Sequence, residues 1–348
     1  MKATDITKAE EILGKADLAA AMDRLGQNGK PFFFMVNFEA TAGIVMEFPD
    51  LERSDISCCI NGREFGNPGI TGTPADRANA PGQTTGTQIE IKAQPPVSRA
   101  DYAKGFDNIM RHIRHGDSYL LNYTCRTCIG TRIDLARIYR HASARYKLLW
   151  RDKLVFFSPE PFIKIDAGKI YSFPMKGTIS ATAANAGRTL LENKKELYEH
   201  YTIVDLIRND LSMVSTGVQV ESFRYIDKIE TSRGPLLQTS SRISGMLPAD
   251  WKDSIGTLLM QLLPAGSISG APKEKTVQII QESETSPRGY YTGVMGVFDG
   301  ETLDSCVIIR YIGKEQEAFF YRSGGGITAL SNPDEEYNEV MEKIYVPV

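Results

Sequence analysis

The chain has 348 residues, of which 42% are hydrophobic and 24% charged, a composition typical of a globular protein with a large core. Its formal net charge of −3 gives no reason to expect binding to nucleic acid or to a membrane surface. No apolar run is long enough to cross a bilayer, and the N-terminus lacks the apolar region of a signal peptide. Length alone allows two domains or one large mixed domain.

The first 97 residues predict a small region with few regular elements. Apolar side chains at helical spacing predict a helix at 5–25, and the runs 32–38 and 43–48 predict two strands. Residues 61–97 are rich in Gly, Pro and Thr and predict a long loop. We expect a boundary there, which separates an N-terminal region, 1–97, from a larger region, 98–348.

The larger region begins with a helix that Ser98 caps and that continues through Arg114. An amphipathic helix is predicted at 190–211 and a last helix at 333–344. Strands are predicted at 118–124, 154–157, 162–165, 169–172, 291–298, 303–312 and 318–322. The last three predict an antiparallel meander. Because strands come in hairpins rather than alternating singly with helices, we predict an α+β fold.

The five cysteines do not form a pattern that predicts a metal site. Cys125 and Cys128 form a single C-x-x-C in a strand-like run, where positions three apart face opposite ways. Without a second pair, this spacing is weak support for zinc or redox chemistry. We expect structural thiols and a cytoplasmic protein.

Lys176 is the first candidate functional residue. It lies between a proline-restricted backbone and a glycine in the run 173–178. A free lysine is almost fully protonated at neutral pH, but burial beside an apolar wall or another cation would lower its pKa and make it a nucleophile. The alternative is a surface lysine in a turn.

Glu160 follows Ser158 and Pro159 at the end of a predicted strand. A carboxylic acid at this place could donate a proton to a leaving hydroxyl, although a solvated strand-end charge is the alternative. Glu160 and Lys176 lie at either end of one predicted hairpin-like unit, so the two side chains could be neighbours.

Two pairs of glutamates form the third candidate feature. Glu196 and Glu199 are three residues apart on one predicted helix, and Glu336 and Glu339 repeat this spacing on another. Two such faces could hold one Mg²⁺, which takes few direct protein ligands and keeps places for water or a substrate carboxylate. The alternative is solvated helix charge, including an ion pair between Glu339 and Lys343.

The fourth feature is a set of candidate anion-binding groups. Residues 269–273 predict a helix start with proline in its first turn. The glycine run after Ser323 would let the backbone approach a ligand, and Arg310 could clamp a carboxylate, although a tight turn is the alternative for the glycines. Together the four features predict a pocket for a small substrate with several carboxylates. Dinucleotide-binding and Walker A patterns are absent from the sequence.

These residues fall within a series of ordered motifs at 116–122, 158–160, 174–178, 203–210, 264–273, 324–326 and 336–339. The series resembles the chorismate-utilising enzymes, and within that family most closely the aminodeoxychorismate synthase component I branch. The resemblance implies two large, mainly antiparallel sheets packed face to face with helices outside. It also implies chorismate as substrate and Mg²⁺ as cofactor.

The resemblance further implies a role for each site residue. Glu199 and Glu339 are expected to bind the metal, with Glu196 and Glu336 close by, and Glu160 to act as the general acid that helps the 4-hydroxyl leave. The residues expected to bind the substrate and its carboxylates are Ser267, Tyr291, Arg310, Gly324, Gly325, Gly326 and Lys343.

Lys176 distinguishes between members of the family. It resembles the nucleophile that attacks carbon 2 of chorismate, after which ammonia adds at carbon 4 and expels the lysine. Anthranilate synthases, which remain the alternative reading, have alanine there. Isochorismate and salicylate synthases have a water-activating lysine where this chain has Leu120, and leucine cannot accept a proton. The implied product is 4-amino-4-deoxychorismate, a precursor of p-aminobenzoate and folate; the alternative from another class is a silent chorismate-binding partner.

The sequence also departs from the family pattern. Gln238 replaces a histidine found in many members, and Leu120 replaces a glutamine common in close relatives. We find neither a tryptophan-binding motif in the short N-terminal region nor a glutamine amidotransferase segment. Ammonia derived from glutamine is therefore expected to come from a separate amidotransferase subunit.

Overall fold

A computed structural model describes residues 10–71, 97–229 and 234–347. Its strands, in chain order, are β1 (Leu13–Gly14), β2 (Phe32–Val36), β3 (Ala42–Glu47), β4 (Ile56–Ile60), β5 (Arg63–Gly66), β6 (Leu120–Gly130), β7 (Tyr146–Trp150), β8 (Leu154–Ser158), β9 (Pro161–Asp166), β10 (Lys169–Ser172), β11 (Met175–Ser180), β12 (Thr216–Ile229), β13 (Leu236–Met246), β14 (Gly270–Ala271), β15 (Val294–Phe298), β16 (Leu303–Val307), β17 (Tyr311–Glu315) and β18 (Ala318–Thr328).

The α-helices lie between groups of strands along the chain. In chain order they are α1 (Lys15–Gln27), α2 (Phe48–Leu51), α3 (Pro68–Thr71), α4 (Arg99–His115), α5 (Leu135–His141), α6 (Ala186–Glu192), α7 (Lys194–Ser212), α8 (Ile255–Leu262), α9 (Gly266–Ser269), α10 (Lys273–Ser283) and α11 (Pro333–Glu342). No helix in the described ranges is both long and apolar enough to span a membrane.

The strands form one sheet of ten and one of eight. The first runs β1-β3-β2-β15-β16-β9-β10-β13-β11, with β12 also on β13, and the second runs β14-β6-β18-β17-β8-β7-β4-β5. The strand pairings between described residues are antiparallel. The predicted α+β fold with two mainly antiparallel sheets is therefore confirmed.

Alternation along the strands separates the core between the sheets from the layers outside them. Phe33 and Met35 of β2 pack with Trp150 and Phe156 of the second sheet, whereas the side chains between them on β2 face the opposite way. These pack with Leu18 and the rest of the buried side of α1. The two sheets thus meet face to face, with helices on the outside.

The first predicted helix begins later than the sequence pattern indicates. The described part of the chain starts at Glu10, so the beginning of the 5–25 prediction lies outside it. Leu13 and Gly14 are extended because they pair with β3, and α1 starts only after this short strand. The predicted loop at 61–97 likewise contains β5 and α3, and residues 72–96 of it lie outside the described ranges.

The predicted single helix at 190–211 is two helices. Asn193 between them is extended, with φ of −66° and ψ of 109°, and its side chain accepts a hydrogen bond from the Glu196 N–H at 3.2 Å. This N-cap starts α7 afresh. Val204, Ile207 and Leu211 are buried at the expected spacing.

The predicted C-terminal meander is wrong, because its middle run changes sheets. β16 pairs with β15 in the first sheet, whereas β17 pairs with β18 in the second. The run predicted at 303–312 is thus two strands joined by residues 308–310, and Arg310 has a φ of +52° in this crossing. The crossing brings Arg310 to the place where the two sheets meet.

Candidate active site

A cavity of about 620 Å³ opens between the two sheets, and all thirteen predicted site residues line it. They come from distant parts of the chain: the loop after β8, β11, α7, α9, the segment before β15, the crossing at 308–310, β18, and α11 with its C-cap. The structure brings these residues together around one cavity, and their individual roles stay predictions.

Glu160 is half-buried in the cavity wall. Its backbone N–H donates to Ser158 Oγ at 3.1 Å, and Ser267 Oγ donates to its carboxylate Oε1 at 2.6 Å. Burial raises the pKa of Glu160 above its ordinary value, although the Ser267 hydrogen bond and the charges of Lys176, Lys343 and Arg310 oppose the rise. The raised pKa increases the protonated fraction of this carboxyl, the form that a general acid needs.

Lys176 is directed into the cavity by a bulge in β11. It pairs with Thr239 of β13, whose hydroxyl donates to the Lys176 carbonyl, and the register shifts before Thr178. Gly177 absorbs this shift with a φ of +73°, and bulges of this kind re-aim neighbouring side chains. The Lys176 ammonium lies 3.9 Å from a carboxylate oxygen of Glu199, and both side chains are at most 20% exposed. The alternative of a surface lysine is therefore wrong.

The four glutamates line the cavity as two pairs on two helices. A Cβ at Gly325 would lie 3.4 Å from Glu336 Oε2 and 3.5 Å from Glu339 Oε1, so both carboxylates approach the glycine run. Glu336 is only 2% exposed. The ion pair considered from sequence is also present, because Lys343 Nζ lies 2.6 Å from Glu339 Oε1.

The carboxylates fit a hard cation in chemistry, but they do not form a closed cage. No three metal-ligating side chains in the described ranges come close enough to share one ion. Mg²⁺ commonly takes only one or two carboxylates and completes its shell with water or substrate oxygens. The arrangement is therefore compatible with an open Mg²⁺ site that the substrate helps to complete.

Positively charged side chains and the backbone of the glycine run also line the cavity. Arg310 has its guanidinium 5.0 Å from the ring centre of Tyr345. Lys343 Nζ donates to the Gly324 carbonyl at 2.9 Å and so ties α11 to the glycine run. The glycines at 324–326 are part of β18 and pair with 122–124 of β6, so the alternative of a tight turn is wrong.

One predicted anion-binding feature does not belong to the cavity. Residues 269–273 do not line it, and α10 starts at Lys273, after Pro272 rather than with it in the first turn. Lys273 Nζ forms an ion pair with Asp210 at 2.9 Å and donates to the Leu262 carbonyl. This lysine therefore stabilises the packing of three helices.

The two departures from the family pattern lie near Lys176. Gln238 lines the cavity and pairs with Thr178. Leu120 is 4% exposed, and its Cδ1 lies 3.3 Å from the point where a Cβ on Gly326 would stand. Asn122 also lines the cavity. Sequence reasoning gave it no role, although its spacing of two from Leu120 on a strand could have placed both on one face.

The cysteines take no part in this site. Cys125 is buried and Cys128 exposed on β6, as the opposite-face prediction requires, and both are free thiols. Burial raises the pKa of Cys125 to about 12, which makes it unreactive.

Comparisons with known proteins place the chain in a family. The family model described as "chorismate binding enzyme" matches residues 64–348. An "uncharacterized PabA-like protein" of Pasteurella multocida is 46% identical over 94% of this chain and 97% of its own length. Anthranilate synthase component 1 of Acetivibrio thermocellus is 30% identical over 73% of this chain and 53% of its own. A 2-amino-4-deoxychorismate synthase of Streptomyces globisporus is 29% identical over 76% of this chain and 58% of its own.

Solved structures support the same fold at low sequence identity. Anthranilate synthase component I from Streptococcus pneumoniae has a TM-score of 0.67 at 20% identity, over 91% of this chain and 80% of its own. MenF, the menaquinone-specific isochorismate synthase from Escherichia coli, has a TM-score of 0.70 at 14% identity, over 96% and 82%. With the family match over most of its length, the chain belongs to the chorismate-binding enzymes.

Proposed function

We propose that this chain is the synthase component, component I, of an aminodeoxychorismate synthase, which converts chorismate and ammonia into 4-amino-4-deoxychorismate. The observation that carries the proposal is the Lys176 ammonium in a cavity that also contains Glu160. A nucleophile and an acid facing one space can divide a difficult substitution into two easier steps. A relative named 2-amino-4-deoxychorismate synthase supports amination chemistry in this family, although its name places the amino group on carbon 2 rather than carbon 4.

In the first proposed step, the neutral amine of Lys176 attacks carbon 2 of chorismate. The ring double bonds shift and the 4-hydroxyl leaves as water, taking its proton from Glu160. The raised pKa of Glu160 supports this role, because a carboxyl that holds its proton more tightly is more often ready to donate. Ser267 fixes the carboxyl by its hydrogen bond.

In the second step, ammonia supplies the electron pair for a new bond at carbon 4. The ring double bonds shift back, the bond between carbon 2 and Nζ breaks, and its electron pair returns to Lys176. The new nitrogen then releases one proton, which the Glu160 carboxylate can take. Chorismate and ammonia thus give the amino product and water, and both residues return to their starting states.

The substrate's carboxylates are proposed to bind Arg310, Lys343, the hydroxyls of Ser267 and Tyr291 and the backbone at 324–326. Arg310 offers two parallel donors, which suits a carboxylate. Glu199 and Glu339 would hold Mg²⁺, with Glu196 and Glu336 nearby, and the ion would neutralise the charge of a substrate carboxylate. Ammonia from glutamine would come from a separate amidotransferase subunit.

The second candidate function is anthranilate synthase component I. It is supported by the relative of that name, which is 30% identical to this chain. The two functions are separated by a product assay with chorismate, Mg²⁺ and ammonium, resolved by chromatography. We expect 4-amino-4-deoxychorismate. Anthranilate as the main product would overturn the proposal, and chorismate binding without turnover would point to the silent partner.

A further inference from the structure

The β6 wall of the cavity contains a polar side chain that the proposed mechanism does not use, that of Asn122. Asn122 lines the cavity, and its Oδ1 is closed off from solvent without a hydrogen-bond partner among the described residues. Buried amide oxygens are nearly always paired, because an unpaired one lowers the stability of the folded protein. An orphan acceptor at a cavity wall is therefore a place to expect a ligand.

The backbone of Asn122 is held firmly, so its side chain has a fixed origin. Asn122 pairs with Gly326 of β18, and its carbonyl accepts from Arg288 Nη2 at 2.6 Å. Arg288 is in turn held by a buried ion pair with Glu284. As the structure stands, Oδ1 is the buried end of the amide. A rotation about the last bond of the side chain, whose preference is broad, would exchange the oxygen and the nitrogen and present the oxygen to the cavity.

Gly326 leaves a small space beside this amide. A Cβ there would lie 3.3 Å from Leu120 Cδ1 and 3.6 Å from Lys176 Nζ. Residues directly opposite in an antiparallel pair present their side chains on the same face about 5 Å apart, and Leu120 shares that face with Asn122. We call the space bounded by Leu120, Asn122, Lys176 and Gly326 the Gly326 niche.

The chemistry of the niche favours a small neutral donor over a cation. Elsewhere the cavity offers carboxylates, which would stabilise ammonium, and ammonium has no electron pair with which to attack. An amide oxygen carries no charge and accepts a hydrogen bond from ammonia. The leucine methyl disfavours the protonated form, and so does the positive charge that Nζ of Lys176 carries once it is bonded to carbon 2.

We propose that the Gly326 niche is the binding site for neutral ammonia, and that Asn122 Oδ1 accepts a hydrogen bond from it. The inference rests on the proposed function, because it names the site of that reaction's second substrate. The niche places the ammonia nitrogen beside Nζ of Lys176, which leaves carbon 2 when ammonia bonds to carbon 4. The nitrogen's electron pair forms the bond at carbon 4 while the pair of the bond at carbon 2 returns to Nζ. The Glu160 carboxylate takes the surplus proton.

The test is steady-state kinetics with ammonium as the varied substrate at saturating chorismate, at several pH values. We expect Asn122→Ala to raise the KM for ammonia about 3- to 10-fold, the range for loss of one neutral hydrogen bond. Asn122→Asp has nearly the same shape but brings a carboxylate into the niche. It should hold ammonium, and its kcat/KM for ammonia should therefore fall most at low pH. Chorismate affinity, measured by titration without ammonium, should not change in Asn122→Ala.

Thr127→Val is the matched control. Like Asn122, Thr127 lies on β6 and has a buried polar oxygen without a hydrogen-bond partner among the described residues. Unlike Asn122, it does not line the cavity. Its KM for ammonia should equal that of the wild type. If the wild type aminates chorismate while Asn122→Ala keeps its KM for ammonia, or loses chorismate affinity instead, the niche is refuted. A wild type that forms no aminated product refutes the proposed function and, with it, the niche.

Discussion

Lys176 is the residue on which the proposed product depends. We expect Lys176→Ala to lower aminodeoxychorismate formation by at least about 10³-fold, because the covalent step is lost. Chorismate should still bind, since the other groups that face the cavity remain. Product chromatography and a chorismate titration measure the two effects, and Lys169→Ala on β10 is a control outside the cavity. Full activity in Lys176→Ala would exclude a covalent lysine.

Glu160 should set the alkaline limb of the pH profile. Its raised pKa means that the protonated acid persists above the usual carboxyl range, and activity is lost as pH rises through that pKa. Ser267→Ala removes a hydrogen bond that lowers the pKa, so the limb should move to higher pH. Glu160→Gln should lower kcat about 10²- to 10⁴-fold and abolish the limb. A limb that moves to lower pH in Ser267→Ala would contradict this account.

At the scale of elements, the bulge in β11 is what directs Lys176 into the cavity. Gly177 and Gly168 both have a φ of +73°, so alanine at either position should cost about 1–2 kcal/mol of unfolding free energy. Only Gly177→Ala also presses on Leu190 and Glu196, each at 3.1 Å, because a Cβ on Gly168 meets nothing within 4 Å. In denaturant unfolding, both variants should therefore lose stability through backbone strain. The kcat should fall only in Gly177→Ala. Equal activities in the two variants would show that the bulge does not position the lysine.

The paired glutamates on α7 and α11 predict a second element-scale effect. Glu339→Gln should raise the Mg²⁺ concentration for half-maximal activity about 10-fold or more, because one charged ligand is lost. Isothermal titration with Mg²⁺ provides a readout that does not depend on turnover. Glu335→Gln on the same helix is the control, since Glu335 is exposed and does not line the cavity. An unchanged Mg²⁺ response in Glu339→Gln would remove this residue from the metal site.

Elements whose signals are local could be predicted from the sequence, and those that depend on distant pairing could not. Ser98 caps α4 with its own side chain, so that helix is visible in the sequence. The run at 303–312 is continuous in hydrophobicity, and nothing in it records that the chain leaves one sheet for the other. The joint position of the site residues followed from the ordered motifs. The spacing of Asn122 from Leu120 could place both on one face of a strand, but the orphan oxygen of Asn122 exists only after β6 and β18 pair.

At the scale of the whole molecule, the site depends on both sheets at once. Lys176 belongs to the first sheet, the glycines at 324–326 to the second, and Arg310 to the crossing between them. Strands β1–β5 from the N-terminal region extend both sheets, while every proposed site residue lies after residue 98. We propose that the N-terminal region supports the packing of the sheets and that 98–348 carries the chemistry.

The field around the cavity predicts a salt effect on the encounter with substrate. The chain has a net charge of −3, which by itself repels an anion with two carboxylates. A neighbouring cavity of about 870 Å³ shares Met175, Gln238 and Arg310 with the site. Among the described residues, it is lined by Arg145, Lys228 and Arg310 and by one acid, Asp227. This local excess of positive charge should attract the anion toward the site.

We therefore expect kcat/KM for chorismate to fall as ionic strength rises from about 0.01 to 0.15 M, where the Debye length shortens from about 30 to 8 Å. The kcat should stay constant, because screening acts on the encounter rather than on the bound substrate. Arg145→Gln should flatten the salt dependence, while Arg140→Gln on the exposed side of α5 should leave it unchanged, since Arg140 does not line either cavity. A kcat/KM that does not respond to salt would mean that chorismate reaches Arg310 without help from the charges around the neighbouring cavity.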